Sequence, residues 1–308
     1  MLYKNRILIC LLVFFTLLLM YIIPNDKDNS LIISTELEYI DEVKVSNIYM
    51  LDKNNYLGCT NIIIDSDDIE DKAKELIESL IIDSKKQNLI PSGFKPLIPS
   101  NTKINNINFK DGVLKIDFNE HLLEVKEELE EKVIESIVYT LTSIKEIKYI
   151  IIYIEGNILT KLPQSKITLP TTLDRSFGIN KNYNITSSKD ITKTTIYYIS
   201  KFSNNEYYVP VTKINNDTRD KIEIIIDELS NNYNSNLMSY LNNNTRILNM
   251  SNESDTIIVN FNDAIYSDIN EKEILDEVIY TISMSIIDNY DVNKVIFNVN
   301  DEEIYKNY

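Results

Sequence analysis

The sequence contains a single histidine, and it stands among carboxylates. His121 follows Glu120 directly and lies four residues after Asp117, within residues 105–123, NNINFKDGVLKIDFNEHLL. Imidazole titrates near neutral pH, so a histidine beside a carboxylate is the elementary acid-base pair, and the same side chains can ligate zinc. Other residues also invite a chemical reading. The carboxylates between Glu124 and Glu131 could attract a cation, yet they lack the alternate oxygen ligands and the glycine of a calcium loop and read as a solvated helix start. Ser136, Thr140 and Thr142 carry hydroxyls, but no glycine-rich elbow or second histidine accompanies them. The 5 glycines, Gly58, Gly93, Gly112, Gly156 and Gly178, stand too far apart to cradle a phosphate. Among the 20 tyrosines, the pairs Tyr197-Tyr198 and Tyr207-Tyr208 could stack on sugars, although alternating strand tyrosines are more often half-buried sheet residues.

Recurrence separates chemistry from scaffold. Aligning Asn101-Thr102-Lys103-Ile104 with Asn244-Thr245-Arg246-Ile247 carries VLKIDFNEHLL (residues 113–123) onto TIIVNFNDAIY (residues 256–266) without a gap. Further on, VIESIVYTLT (133–142) matches ILDEVIYTIS (274–283), including the pairs Tyr139-Thr140 and Tyr280-Thr281. Upstream, Ile48-Tyr49 matches Ile196-Tyr197, and the helical stretch ending at Leu80 roughly matches the one ending at Leu229. The chain is an intragenic duplication. In the second copy Asp117, Glu120 and His121 become Asn260, Asp263 and Ala264, so the polar set does not repeat. The residues therefore assign no catalytic, cofactor-binding or metal-ligating side chain, and no cofactor.

The elements follow from periodicity. Residues 45–51 and 56–64 are β-rich runs around Asp52-Lys53-Asn54-Asn55 and predict a hairpin. Asp67 is placed to cap a helix, with Glu70 completing a capping box, and Ile69, Ala73, Leu76, Ile77 and Leu80 form its apolar stripe. Residues 104–109 and 113–118 flank Asp111-Gly112, a pair suited to a tight turn. There Leu114, Ile116 and Phe118 alternate with polar residues, so one face is buried. A second helix carries Leu129, Val133, Ile134, Ile137, Val138 and Leu141, and residues 147–154 close the unit as a strand. Each unit reads ββαββαβ, an α+β fold with two helices on one face of a sheet.

With a formal charge of −16 and pI near 4.6, the chain would repel phosphate backbones, which argues against nucleic-acid partners. Residues 7–23, ILICLLVFFTLLLMYII, are uncharged, follow Lys4 and Arg6, and end at Pro24. They read as an uncleaved transmembrane signal anchor with a cytoplasmic stub of residues 1–6. A tether (24–42), domain 1 (43–158), a Pro-, Ser-, Thr- and Asn-rich connector docked in part on domain 1 (159–192) and domain 2 (193–308) follow. Cys10 lies in the anchor and Cys59 far downstream, so no disulfide framework exists in the folded part.

Between Ile98 and Gly156 the chain resembles the GerM domain family of sporulation and spore germination proteins. The resemblance is carried by IPSNTKI, IDFNEHLL after the DG turn, the helix ending ESIVYTLT and the strand IIIYIEG, and LDRSFGIN (residues 173–180) resembles the tail that follows such domains. The second unit is similar but more divergent, with Glu253-Ser254-Asp255 in place of the glycine turn. What the resemblance implies is non-enzymatic: tandem domains akin to ring-building motifs, acting at the membranes and cortex between mother cell and forespore. Its partners would be other sporulation envelope proteins or further copies of the chain, with the membrane engaged through the N-terminal helix. Related proteins are often lipoproteins, and here an anchor takes that place. The alternative reading is a cell-wall module that binds peptidoglycan.

Overall fold

The computed structural model describes residues 45–231 and 234–304. The expected stub, anchor and tether lie outside this range, and among the described residues no helix is long and apolar enough to cross a membrane. The first half runs β1 (Val45–Leu51), β2 (Leu57–Ile63), α1 (Ile69–Leu80), β3 (Ile104–Lys110), β4 (Val113–Phe118), α2 (Glu127–Leu141), β5 (Tyr149–Ile154) and β6 (Asn157–Ile158). A short strand, β7 (Asn182–Asn184), precedes the second half. That half repeats the order as β8 (Thr192–Phe202), β9 (Asn205–Asn215), α3 (Lys221–Ser230), β10 (Ile247–Glu253), β11 (Thr256–Phe261), α4 (Asp276–Tyr290), β12 (Lys294–Val299) and β13 (Glu302–Ile304). The ββαββαβ order therefore holds in both halves, with one short strand added at each end.

Local chemistry explains the boundaries. Asp111 and Gly112 take φ of 51° and 80°, the left-handed pair that lets a two-residue turn follow the strand twist between β3 and β4. Ser254 adopts φ 58° in the second copy without glycine's conformational freedom. Helix α1 is capped by Asp68 rather than Asp67, its Oδ1 accepting the N–H groups of Glu70 and Asp71 at 2.9 and 3.2 Å. Glu70 forms no capping box; it reaches across to accept the N–H of Phe109 at 2.7 Å. The inward rows Leu114, Ile116, Phe118 and Ile257, Val259, Phe261 are fully buried, as their alternation requires.

The strands of one unit do not share one sheet, and this corrects the sequence reading. The order β3-β4-β5-β6 forms one sheet and β10-β11-β12-β13 another, each with a parallel central pair joined through a helix. The N-terminal hairpins of the two halves instead join each other. Strand β2 pairs antiparallel with β9 at Cys59 and Tyr208, giving β1-β2-β9-β8, with β7 parallel to the far end of β9. Nor do the helices lie on one face of a single sheet: α1 packs on β3 and α2, and α2 packs on β1. In the second half α3 packs on β8 and α4, while α4 touches both β8 and β12.

A hairpin has two bare edges, and unpaired edges invite aggregation. Here the inner edges meet each other and helix side chains close the outer ones. Thr140 Oγ1 accepts the Tyr49 N–H at 3.0 Å, and the hydroxyl of Ser136 donates to the Tyr49 carbonyl at 2.6 Å. On the other side Ser285 Oγ accepts the Tyr197 N–H at 2.9 Å, while the Asn289 amide spans the N–H and carbonyl of Thr195. The hydroxyls of Ser136 and Thr140 are thus committed to a strand edge.

The connector is folded onto the first half. Leu162, Leu169, Leu173 and Ile179 are buried in the first core. Glu130 is buried at the start of α2, where its two oxygens accept the N–H groups of Gln164 and Ser165 at 2.9 and 2.7 Å. Of the carboxylates read as a solvated helix start, Glu127 and Glu128 are exposed but Glu130 is a structural staple. The burial works against its charge, and the two N–H groups hold its carboxyl below the usual range.

Candidate functional site

The residues that first looked catalytic do not converge. His121 sits in a short 3-10 turn (Glu120–Leu123), its Nδ1 2.8 Å from Glu124 Oε1. Glu120 uses its N–H toward Glu155 Oε1 at 3.3 Å, and Asp117 Oδ1 accepts the Gly156 N–H at 3.0 Å. Among the described residues no three His, Cys, Asp or Glu side chains gather as a metal site would require. What recurs is a set of pins. Asn260 Oδ1 accepts the Asp301 N–H at 3.0 Å, doing for the second copy what Asp117 does for the first. Asn119 Oδ1 accepts the Lys103 N–H and its amide donates to the Asn101 carbonyl, at 3.0 and 3.1 Å. Asn262 repeats both bonds with Arg246 and Asn244 at 2.9 and 3.1 Å. The repeated FN and NT motifs are therefore the two ends of one clamp at the mouth of each hairpin.

The tyrosines that marked the duplication meet at the joint between the halves. The hydroxyls of Tyr49 and Tyr197 lie 3.4 Å apart, and both residues are fully buried. Tyr139 meets Tyr49 edge to face with centroids 5.4 Å apart, while Tyr280 stacks on Tyr208 at 3.8 Å. Into this cluster the tail segment 173–180 delivers Arg175. Its Nη2 donates to the Tyr49 hydroxyl at 3.1 Å, its Nη1 lies 3.3 Å from Asp288 Oδ1, and its Cζ stands 4.5 Å over the Tyr139 ring. Tyr197 donates its hydroxyl proton to Asp288 Oδ2 at 2.8 Å, and Tyr139 donates to the Arg175 carbonyl at 3.1 Å.

Electrostatics here is governed by burial. Burial disfavours the Arg175 charge, but Asp288 and the surrounding tyrosines hold the guanidinium protonated well above its ordinary range. It also pushes the Asp288 carboxyl up, opposed by Arg175 and the Tyr197 hydroxyl, and drives the Cys59 thiol up to about 11. A thiol so placed is a buried hydrophobe rather than a nucleophile. Tyr197, Tyr198 and Tyr207 are buried in the sheet, so none offers a face to a sugar.

A second bond set completes the joint. Pro210 stands opposite Tyr197 as Cys59 stands opposite Tyr49, and it has no N–H to continue the β2–β9 ladder. The Asn180 carboxamide takes the place of the missing peptide group. Its Oδ1 accepts the Leu57 N–H at 2.8 Å, and its Nδ2 donates to the carbonyls of Leu57 and Pro210 at 2.9 and 2.8 Å. The Asn180 N–H donates to Glu135 Oε2 at 2.9 Å, and Lys181 lies 3.6 Å from Glu135 and 2.7 Å from Glu131. Burial pushes the Glu135 carboxyl up to about 7 against the pull of Lys181 and that N–H. Nearby, Tyr207 donates to Asp52 Oδ2 at 2.8 Å, a further bond from one half to the other. The chemistry of the joint is cohesion; the cavity of about 590 Å³ beside it is lined by Asn180, Lys181, Tyr183 and Lys213, and among the described residues it holds no histidine, cysteine or carboxylate.

The sequence pattern of the Germane family, described as sporulation and spore germination, matches residues 47–160 and again residues 195–305. The chain belongs to the Germane family. The chain is 29% identical to the spore germination protein GerM of Bacillus subtilis (strain 168) over 262 residues, 82% of this chain and 70% of that protein. The solved tandem GerMN domains of the sporulation protein GerM from Bacillus subtilis superpose with a TM-score of 0.75 at 26% identity, covering 84% of this chain and 92% of that one. The resemblance read between Ile98 and Gly156 is thereby shown, and it extends to both copies.

Proposed function

We propose that this Germane-family chain is a non-enzymatic scaffold of the sporulating or germinating cell envelope, acting through protein-protein contacts or oligomeric assembly of its two domains. In this reading residues 7–23 anchor it as a single-pass membrane protein and both domains lie outside the cytoplasm, in the space between mother cell and forespore. The observation that carries the reading is the joint. A chain that commits Arg175, Asp288 and a cluster of buried tyrosines to fixing one domain against the other has a defined pair of surfaces to present. The relatives named for sporulation and germination supply the setting.

Crosslinking in sporulating cells, followed by capture of the full chain, tests this. The expected result is recovery of other envelope proteins or of further copies of the chain. A chain that captures neither, stays monomeric by light scattering in detergent and is retained on purified peptidoglycan would overturn it in favour of a wall-binding module.

A further inference from the structure

The two Germane domains differ at one strand edge, and in the second a groove lies beside that strand. In the first domain Glu70, at the start of α1, accepts the N–H of Phe109 and so caps the outer edge of β3. Aligning Asp71-Lys72 with Asp220-Lys221 puts Arg219 where Glu70 stands, and the hairpin alignment puts Asn252 where Phe109 stands. Arg219 is instead held 2.7 Å from Asp217 and 3.1 Å from Asp227. The equivalent edge of β10 receives no carboxylate among the described residues. Between α3 and β10 lies a cavity of about 590 Å³ whose walls include Ile222, Ile226, Leu248 and Met250. Leu248 is 51% exposed at its rim.

We propose that this groove binds an extended basic segment of a partner protein, added as a further strand on β10. The β3 geometry says which groups are available: the Phe109 N–H points outward, so its counterpart at Asn252 does too, and by the two-residue repeat so does that of Met250, which lines the groove. Main-chain pairing supplies affinity in such an addition, and alternate side chains of the guest enter the groove. Charge selects the guest. Asp220, Glu223 and Asp227 line the cavity; Arg219 pairs with Asp227, and the guanidinium of Arg246 donates to the carbonyls of Asn243 and Thr245 at 2.8 and 2.7 Å, which leaves Asp220 and Glu223 without an ion-pair partner in the lining. A second copy of this chain, at a formal charge of −16, is repelled, whereas alternating apolar and Lys or Arg residues fit both wall and charge.

The inference rests on the scaffold reading, and its test separates the two. The probe is a fluorescein-labelled peptide of four Val-Lys repeats, titrated by anisotropy against the full chain in mild detergent, beside the same peptide with Glu for Lys. The Lys peptide should bind and the Glu peptide should not. Arg219→Glu rebuilds the first domain's cap while making the groove more acidic, so at least tenfold weaker binding of the Lys peptide is expected from an edge-pairing site. Met250→Lys, with circular dichroism to confirm folding, should weaken it as well. Equal binding of both peptides, or Arg219→Glu binding as tightly or more tightly than the parent, overturns the proposal. Cellular crosslinking that captures partners unchanged in Arg219→Glu removes this groove but leaves the scaffold reading standing. Peptide binding without any cellular capture does the reverse.

Discussion

Removing the carboxylate of Asp288 is the sharpest perturbation of the joint. The side chain is buried, takes the Tyr197 hydroxyl proton at 2.8 Å and neutralises Arg175 at 3.3 Å. Asp288→Ala leaves a guanidinium without its counter-ion and a phenol without its acceptor. Breaking a buried pair from one side costs about 3–5 kcal/mol. At about 2–4 °C per kcal/mol for a chain of this size, Tm should fall by roughly 6–20 °C. Replacing both partners, as Arg175→Met with Asp288→Leu, removes the stranded charge and leaves the Tyr49 and Tyr197 hydroxyls with only each other as partners at 3.4 Å, a loss of about 1–3 kcal/mol. The double variant should therefore be more stable than Asp288→Ala alone. The chain has no tryptophan, so urea unfolding is followed by circular dichroism and by tyrosine fluorescence. A loss under about 1 kcal/mol for Asp288→Ala, or single losses that simply add in the double variant, would refute the pairing argument.

Three further outcomes follow from the same structure. Glu135 has a folded pKa near 7, raised from an ordinary 4.5, so the folded state holds its proton longer than the unfolded one and stability from this group falls as pH rises between those values. Relative to Glu135→Gln, the parent should lose up to about 3 kcal/mol across that window in paired urea titrations, and a constant difference would contradict the assignment. Asn180→Ala strands the N–H and carbonyl of Leu57 and the carbonyl of Pro210, and should cost about 2–4 kcal/mol by the same measurement. Phe118→Ala, at a fully buried ring, should cost about 3–5 kcal/mol, whereas His121→Ala should stay within about 0.5 kcal/mol and leave cellular capture of partners unchanged.

Much of each domain was legible because its signals are local. The Asp111-Gly112 turn, the alternating row Leu114, Ile116, Phe118 and the stripe of α2 each announce themselves within a few residues, and each recurs in the second copy. Periodicity says which face of a strand is buried, but not which strand lies beside it. The pairing of Cys59 with Tyr208 therefore left no trace in the pattern, and a single sheet per domain was the natural but mistaken assembly. The joint was half visible. Tyr49, Tyr139, Tyr197 and Tyr280 stood out as repeat markers, while Arg175 and Asp288 occur once each, 113 residues apart. The connector was misjudged in degree because Leu162, Leu169 and Leu173 are spaced to no period; they are held by isolated bridges such as Ile150–Leu173. Glu130 was misread because a carboxylate in a first helical turn normally faces water.

The antiparallel meeting of β2 with β9 has a consequence beyond stability. Cys59 and Pro210 occupy equivalent places in the two hairpins, and so do Leu57 and Tyr208. Pairing Cys59 with Tyr208, while Asn180 bridges Leu57 to Pro210, is thus the exchange of contacts that a two-fold axis through the middle of the sheet would generate. The joint has the form of a homodimer interface written into one polypeptide. Tethering turns what would be a meeting of two molecules into an intramolecular event, set by linker geometry rather than by how much protein the cell makes. Dilution that would dissolve a dimer of single domains should leave this pair of surfaces intact.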